Sequence, residues 1–172
     1  MQKQKAFTLL ELLITTSVTA LLMLAISSLF ITFLATAYKS RISQNLRESG
    51  NNAITQMVEM IRSAGEVTSP CLSEEPLDYI SISDSDGLDT TIREEDNRIA
   101  SISASTNNKF YLTESNTNPN YISNLIFTCY PTPEGKKYIK IDFTLQVGDN
   151  KEASNSARST TLDFSSGLVT RN

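Results

Sequence analysis

Residues 5–18, KAFTLLELLITTSV, place one acid, Glu11, at the start of a long apolar segment. From Leu12 to Tyr38 there are 27 residues without a charge, more than the roughly 20 that an α-helix needs to cross a bilayer. The run is too long for an ordinary secretory signal, and no small-x-small cleavage site follows it. The segment therefore predicts one membrane-spanning helix, at about residues 7–38, with an acid near its first end.

The helical pattern does not stop where the span ends. Apolar residues recur at spacings of three and four and form one stripe, which is typical of an amphipathic helix. Gly50 is a predicted weak point in this helix, and Gly65 followed by Pro70 supplies its end. We therefore predict one long helix over 7–65. The stripe consists of Ile42, Leu46, Ala53, Met57, Met60 or Ile61, and Ala64.

After Pro70 the period changes from helical to alternating, which predicts β-strands. The clearest strand is KYIKIDFTLQVGD (137–149), and YISNLIFTCY (121–130) precedes it across PTPEG as the first strand of a hairpin. The pattern predicts an α+β fold, in which a small, largely antiparallel sheet over 66–172 is covered by the helix stripe. Further predicted strands are Tyr79–Ser83, Arg98–Ser103, Lys109–Leu112 and Ser159–Phe164.

Charge and composition exclude several classes of function. The net charge is −4, and from Glu66 onward 16 acids stand against 9 bases, which gives −7. Such a surface repels phosphate, so we expect no nucleic-acid partner. The chain has no histidine, the commonest general base and metal ligand, and no serine or cysteine has a base beside it in the sequence. We therefore expect no enzyme activity.

The two cysteines indicate the side of the membrane on which the C-terminal domain lies. Cys71 and Cys129 have no histidine or further cysteine to complete a metal site, so we predict a disulfide, which forms in an oxidising compartment. Lys3 and Lys5 precede the span and favour a cytoplasmic N-terminus, although basic residues also follow the span. We expect the domain outside the cytoplasm.

The first residues resemble a known processing signal. KAFTLLELL is similar to the signal of type IV prepilins and type II secretion pseudopilins: a short basic leader, a small residue, then Phe-Thr-Leu and an acid. The resemblance implies that residues 1–6 are a leader, which a prepilin peptidase cuts between Ala6 and Phe7 before it methylates the amine of Phe7. Ala6 stands where the family usually has glycine. Glu11 would pair with the N-terminal amine of a neighbouring subunit during assembly.

The resemblance leaves several functions open. ITQMVEMIRSAGEV and RSTTLDFSSGLVTRN resemble parts of PilW-like minor pilins and J-type minor pseudopilins. The implied protein is a minor pilin-like subunit of a filament related to type IV pili. A pseudopilin of a type II secretion system and a tip adhesin or other binding subunit are the alternatives. The alternative for Glu11 is that it merely reaches the headgroups from a helix end.

The same resemblance implies a location and a set of partners. It implies a bacterial inner-membrane protein with one span, later present in a filament or at the cell surface. The expected partners are other pilin or pseudopilin subunits, the prepilin peptidase, and the inner membrane with its assembly platform.

One acidic stretch is a candidate cation site. DSDGLD contains Asp84, Asp86 and Asp89, which have the oxygen ligands that calcium prefers, but its glycine does not fit the EF-hand spacing. A turn between two strands explains the same residues, because Asp and Gly favour turns. We favour the turn and expect no cofactor.

Overall fold

The computed structural model describes residues 8–71, 75–113, 120–147 and 160–171, with the side chains of 120 and 121 left out. Within these ranges the chain forms one helix and nine strands. The helix α1 spans Leu9–Ser63. The strands are β1 Glu66–Val67, β2 Pro76–Leu77, β3 Tyr79–Ser83, β4 Asp89–Glu95, β5 Arg98–Ser103, β6 Lys109–Tyr111, β7 Asn120–Pro131, β8 Lys137–Val147 and β9 Thr160–Val169. The predicted α+β fold with a long N-terminal helix and antiparallel strands is confirmed.

The chain divides into two compact units, Met1–Arg41 and Ile42–Asn172. In the first, every described residue from 8 to 41 is exposed. In the second, the remainder of α1 shares a single hydrophobic core with the strands. Its buried residues on the helix are Leu46, Gly50, Ala53, Met57 and Ile61, which are the middle of the predicted stripe together with Gly50.

The strands form two antiparallel sheets, where the sequence predicted one. Sheet A has the order β1-β3-β4-β5-β6, and sheet B has the order β2-β7-β8-β9. β7 joins them, because it packs against β3, β4 and β5, and the Ile122 amide donates to the Asn97 carbonyl at 3.1 Å. Periodicity predicts strands but not which of them pair, so the sequence did not separate the two sheets, and it also missed β4, between β3 and β5. Of its seven residues only Ile92 is a buried apolar one.

Sheet B contributes a large part of the hydrophobic core. On β8, Ile139, Ile141, Phe143, Leu145 and Val147 are buried and alternate with half-buried residues, as the sequence predicted. Burying one such side chain stabilises the fold by roughly 1.5–3 kcal/mol. The hairpin between β7 and β8 is also present, and its loop closes through a bond from the Gly135 amide to the Thr132 carbonyl at 3.0 Å.

A bulge in β7 adjusts this strand to the core. The register shifts by one residue between Ser123 and Ile126. Asn124 takes the left-handed conformation there, with φ 58°, which asparagine tolerates better than most residues. The extra residue turns Leu125 into the core, where it is buried beside Ile122 and Phe127.

Gly50 lies inside α1 and does not interrupt it. The sequence predicted a weak point there, but the residue is helical and buried. A Cβ atom at Gly50 would lie 2.2 Å from Cζ of Phe164 and within 2.6 Å of both Cε atoms. The Phe164 ring on β9 stacks on Phe143, with ring centroids 5.2 Å apart. Gly50 is therefore a point of close contact between helix and sheet.

Candidate functional site

The first turn of α1 is held by Thr8. The Thr8 hydroxyl oxygen accepts a hydrogen bond from the Glu11 amide at 3.3 Å, and the Thr8 carbonyl accepts one from the Leu12 amide at 3.3 Å. A helix start leaves its first amides without partners, so a threonine at this position stabilises it. Thr8 and Glu11 have the Thr-x-x-Glu spacing of a capping box, from which this helix start could have been predicted.

Glu11 therefore has a local role as well as the one that the resemblance implies. It is the acid in the first turn of α1, where a negative charge interacts favourably with the helix dipole. Its side chain is exposed. Ala6 and Phe7, the predicted cleavage site, and the leader 1–6 lie outside the described residues.

The apolar part of α1 carries a series of hydroxyl groups. Each donates to a carbonyl three or four residues earlier, at 2.7–3.0 Å. Because these donors are satisfied inside the helix, they add little cost to burial in lipid or against another helix. The residues are Thr15, Thr16, Ser17, Thr19, Ser27, Ser28, Thr32 and Thr36. By length and composition, α1 is able to cross a membrane.

Cys71 and Cys129 form the predicted disulfide, with their Cα atoms 5.2 Å apart. Cys129 is buried on β7, and Cys71 is half-buried in the segment that follows β1. The bond ties the segment between β1 and β2 to β7.

The acidic stretch 84–89 is a turn that joins β3 to β4. The Asp84 carboxylate accepts a bond from the Ser85 amide at 2.7 Å, and the Asp84 carbonyl accepts one from the Gly87 amide at 2.9 Å. Gly87 has φ 74°, which glycine adopts without strain. Across the described ranges, no three Asp, Glu, Cys or His side chains lie where they could jointly hold a metal ion. Asp84, Asp86 and Asp89 are therefore not gathered as a calcium site would require.

A network of charged side chains on sheet A was not anticipated. Glu95 pairs with Arg93 at 2.7 Å and with Lys109, and the Lys109 bond lowers the pKa of Glu95 below its ordinary value. The Tyr111 hydroxyl donates to Asp96 at 3.0 Å, which raises the pKa of Tyr111. Register places Arg93 and Tyr111 on either side of Ala100, which is fully buried. The long side chains thus cover this face of the sheet.

The turn between β4 and β5 positions the rest of that network. Asp96 and Asn97 both have positive φ, 53° and 58°, which are the angles of a two-residue hairpin turn. Arg98 follows the turn, and its guanidinium lies 4.6 Å from the centre of the Tyr111 ring. The Asp-Asn pair between polar strands was the available signal for this hairpin.

The N-terminal segment matches a known family. Residues 1–27, which are 27 of the 172, match the family described as the prokaryotic N-terminal methylation motif. This segment is similar to the N-terminus of the type IV pilins and pseudopilins. No curated protein and no solved structure matches the chain. The motif belongs to a structural, non-enzymatic class of subunits, which associate with one another and are processed by a prepilin peptidase. Motif and apolar helix together indicate membrane anchoring.

Proposed function

We propose that the protein is a minor pilin-like structural subunit of a filament related to type IV pili, and that α1 contributes to assembly or initiation of the filament. The observation that carries the proposal is the methylation motif over 1–27, with Glu11 at the start of an apolar helix. In the proposed arrangement residues 1–6 are the leader, 7–65 the helix, and 66–172 the extracytoplasmic domain. The N-terminus is cytoplasmic, and the disulfide supports an oxidising environment for the domain.

Glu11 is the residue on which assembly depends in this proposal. Cleavage before Phe7 creates a new ammonium group at the membrane face, and Glu11 of a neighbouring subunit compensates its charge. Removing one partner of a buried ion pair costs roughly 3–5 kcal/mol, and less at a membrane face. Because 1.4 kcal/mol corresponds to a factor of ten, loss of the carboxylate is expected to reduce docking by about tenfold or more.

The test is Glu11→Gln, measured as the amount of this subunit in sheared filaments, or crosslinked to a major subunit, at equal cellular levels. Glutamine also serves at the third position of a capping box, so the helix start at Thr8 is preserved while the charge is lost. Thr8→Val is the matched control, since it removes the cap and keeps the charge. Mass spectrometry of the same membranes reports cleavage at Ala6 and methylation of Phe7.

We expect Glu11→Gln to lower incorporation while cleavage and folding stay unchanged, and Thr8→Val to have the smaller effect on incorporation. Equal recovery of wild type and Glu11→Gln would contradict the assembly role of Glu11. An intact Met1 in a host with an active prepilin peptidase would contradict the family role as a whole.

A further inference from the structure

Among the described residues, four strands form the edges of the two sheets, and one of them differs from the rest. β1 and β6 are the edges of sheet A, and β2 and β9 are those of sheet B. β1 and β2 have two residues each, β2 begins with Pro76, and β6 has three residues and begins with Lys109. Short length, proline and lysine are features that keep a sheet edge from pairing with another strand. β9 has ten residues, no proline or lysine, and a register on β8 without a shift.

The register shows which backbone groups of β9 face away from β8. The Thr170 amide donates to the Lys137 carbonyl at 2.9 Å, directly beyond the pair Tyr138 and Val169. Hydrogen-bonded pairs alternate with non-bonded pairs in an antiparallel ladder, so the even-numbered residues of β9 bond to β8. The odd-numbered residues direct their amides and carbonyls to the open side. They are Thr161, Asp163, Ser165, Gly167 and Val169, and all five are exposed.

The side chains along this edge define the chemistry of what would pair with it. On the inner face, Leu162 and Phe164 pack against the core but are only half-buried, so a further strand would cover their open flanks. On the outer face, Asp163 accepts a bond from the Thr144 hydroxyl at 2.7 Å and stays exposed. A complementary strand has apolar side chains at every second position and a lysine or arginine opposite Asp163.

A second copy of this chain does not fit the edge. Two copies of β9 pair in antiparallel fashion about a two-fold axis normal to the sheet. β9 contains Asp163 and no lysine or arginine, so in such a pair no base would lie opposite either copy of Asp163. The occupant is therefore a different polypeptide.

We propose that the open edge of β9 binds an extended segment of a different polypeptide by β-strand addition. The segment has alternating apolar residues toward the core and a basic residue opposite Asp163. At about 3.4 Å per residue, the ten residues of β9 offer an edge of about 34 Å. The proposal stands on the geometry of sheet B and does not depend on the filament role.

The probe is a fluorescent peptide with the sequence of β8, KYIKIDFTLQV, because β8 is a strand that β9 already pairs with. Its binding to the full chain in detergent micelles is followed by fluorescence anisotropy. Ser165→Pro removes an amide that faces the open side, whereas Ser165→Ala keeps it. Both lose the bond from the Ser165 hydroxyl to Asp142, so their difference isolates the edge. We expect saturable binding to wild type and Ser165→Ala, and binding weaker by about tenfold for Ser165→Pro, the loss of one or two hydrogen bonds.

Amide hydrogen exchange on the wild type tests the same proposal without any substitution in the protein. Bound probe is expected to protect the amides of Thr161, Asp163 and Ser165, while protection of the β8 amides stays unchanged. With Lys140 of the probe opposite Asp163, the probe amides of Tyr138 and Asp142 also face β9, so a peptide with prolines at these two positions is the control and is expected to protect none of them. Absence of saturable binding, equal binding by folded Ser165→Pro, or loss of protection in β8 would overturn the proposal. Dimerisation of the wild type that Ser165→Pro abolishes would assign the edge to a second copy and overturn it as well.

Discussion

Substitution of Gly50 by alanine tests the contact between α1 and sheet B. In an exposed helix, glycine to alanine is stabilising by about 1 kcal/mol. At Gly50 the new Cβ would lie 2.2–2.6 Å from three atoms of the Phe164 ring. The ring has little freedom to move away, because it is half-buried and stacked on Phe143 at an interplanar angle of 16°. Overpacking of this kind costs about 1–3 kcal/mol, so we expect Gly50→Ala to lower the free energy of unfolding by up to about 2 kcal/mol.

The sign of the effect should reverse when the ring is removed. Phe164→Leu lacks the three ring atoms that the new methyl group would meet, so in that background Gly50→Ala should be stabilising by up to about 1 kcal/mol. The measurement is a double-mutant cycle from denaturant unfolding of the full chain in micelles, followed by circular dichroism. The expected coupling between the two sites is about 1–3 kcal/mol.

Two further variants separate this contact from general effects of alanine. Asn52→Ala, on the exposed side of the same helix, should be neutral or slightly stabilising. Gly167→Ala also places a Cβ close to an aromatic side chain, 2.1 Å from the Tyr138 hydroxyl oxygen. Tyr138 is exposed, so its side chain is able to change rotamer and relieve this contact, unlike the stacked ring of Phe164. Additive effects of Gly50→Ala and Phe164→Leu would refute the reasoning.

Two more predictions concern the disulfide and the charged network. Cys71→Ser with Cys129→Ser should lower the free energy of unfolding by about 4 kcal/mol, the chain-entropy value for a separation of 58 residues, and reductant should then have no further effect on the unfolding curve. Glu95→Gln should lower the melting temperature at neutral pH. Because the folded pKa of Glu95 is lowered, its contribution is present above the ordinary value of 4.5 and is lost as the pH falls through the folded pKa, so the difference from wild type should vanish in acid. Glu134→Gln, whose carboxylate lies 3.6 Å from Lys136, should show a smaller difference at every pH.

Much of the fold was predictable because its signals are strong and local. The uncharged run predicted the apolar helix, and the stripe that includes Leu46 and Met57 predicted which side of its later part is buried. The alternation on β8 is unbroken over five apolar residues, so both its strand character and its buried face could be read directly. The pairing of Cys71 with Cys129 followed from having only two cysteines.

The parts that were missed depend on contacts between distant residues. β4 is stabilised by its neighbours on both sides and has a single buried apolar residue, so its own sequence does not indicate a strand. Gly50 suggested a weak helix because propensity is a local property, whereas its role is set by Phe164, which is 114 residues away. The open edge of β9 required the order of strands in sheet B, which periodicity does not contain.

The two parts of α1 have different surroundings, and this explains why one helix shows two sequence patterns. From 8 to 41 every side chain is exposed in the single chain, so apolar residues on all sides and self-satisfied hydroxyls require cover from lipid or from other subunits. From Ile42 onward the chain covers its own core, so one side of the helix is apolar, the other is polar, and a glycine is needed where the sheet comes closest. The compact unit accordingly begins at Ile42, within the helix, and not at the first strand.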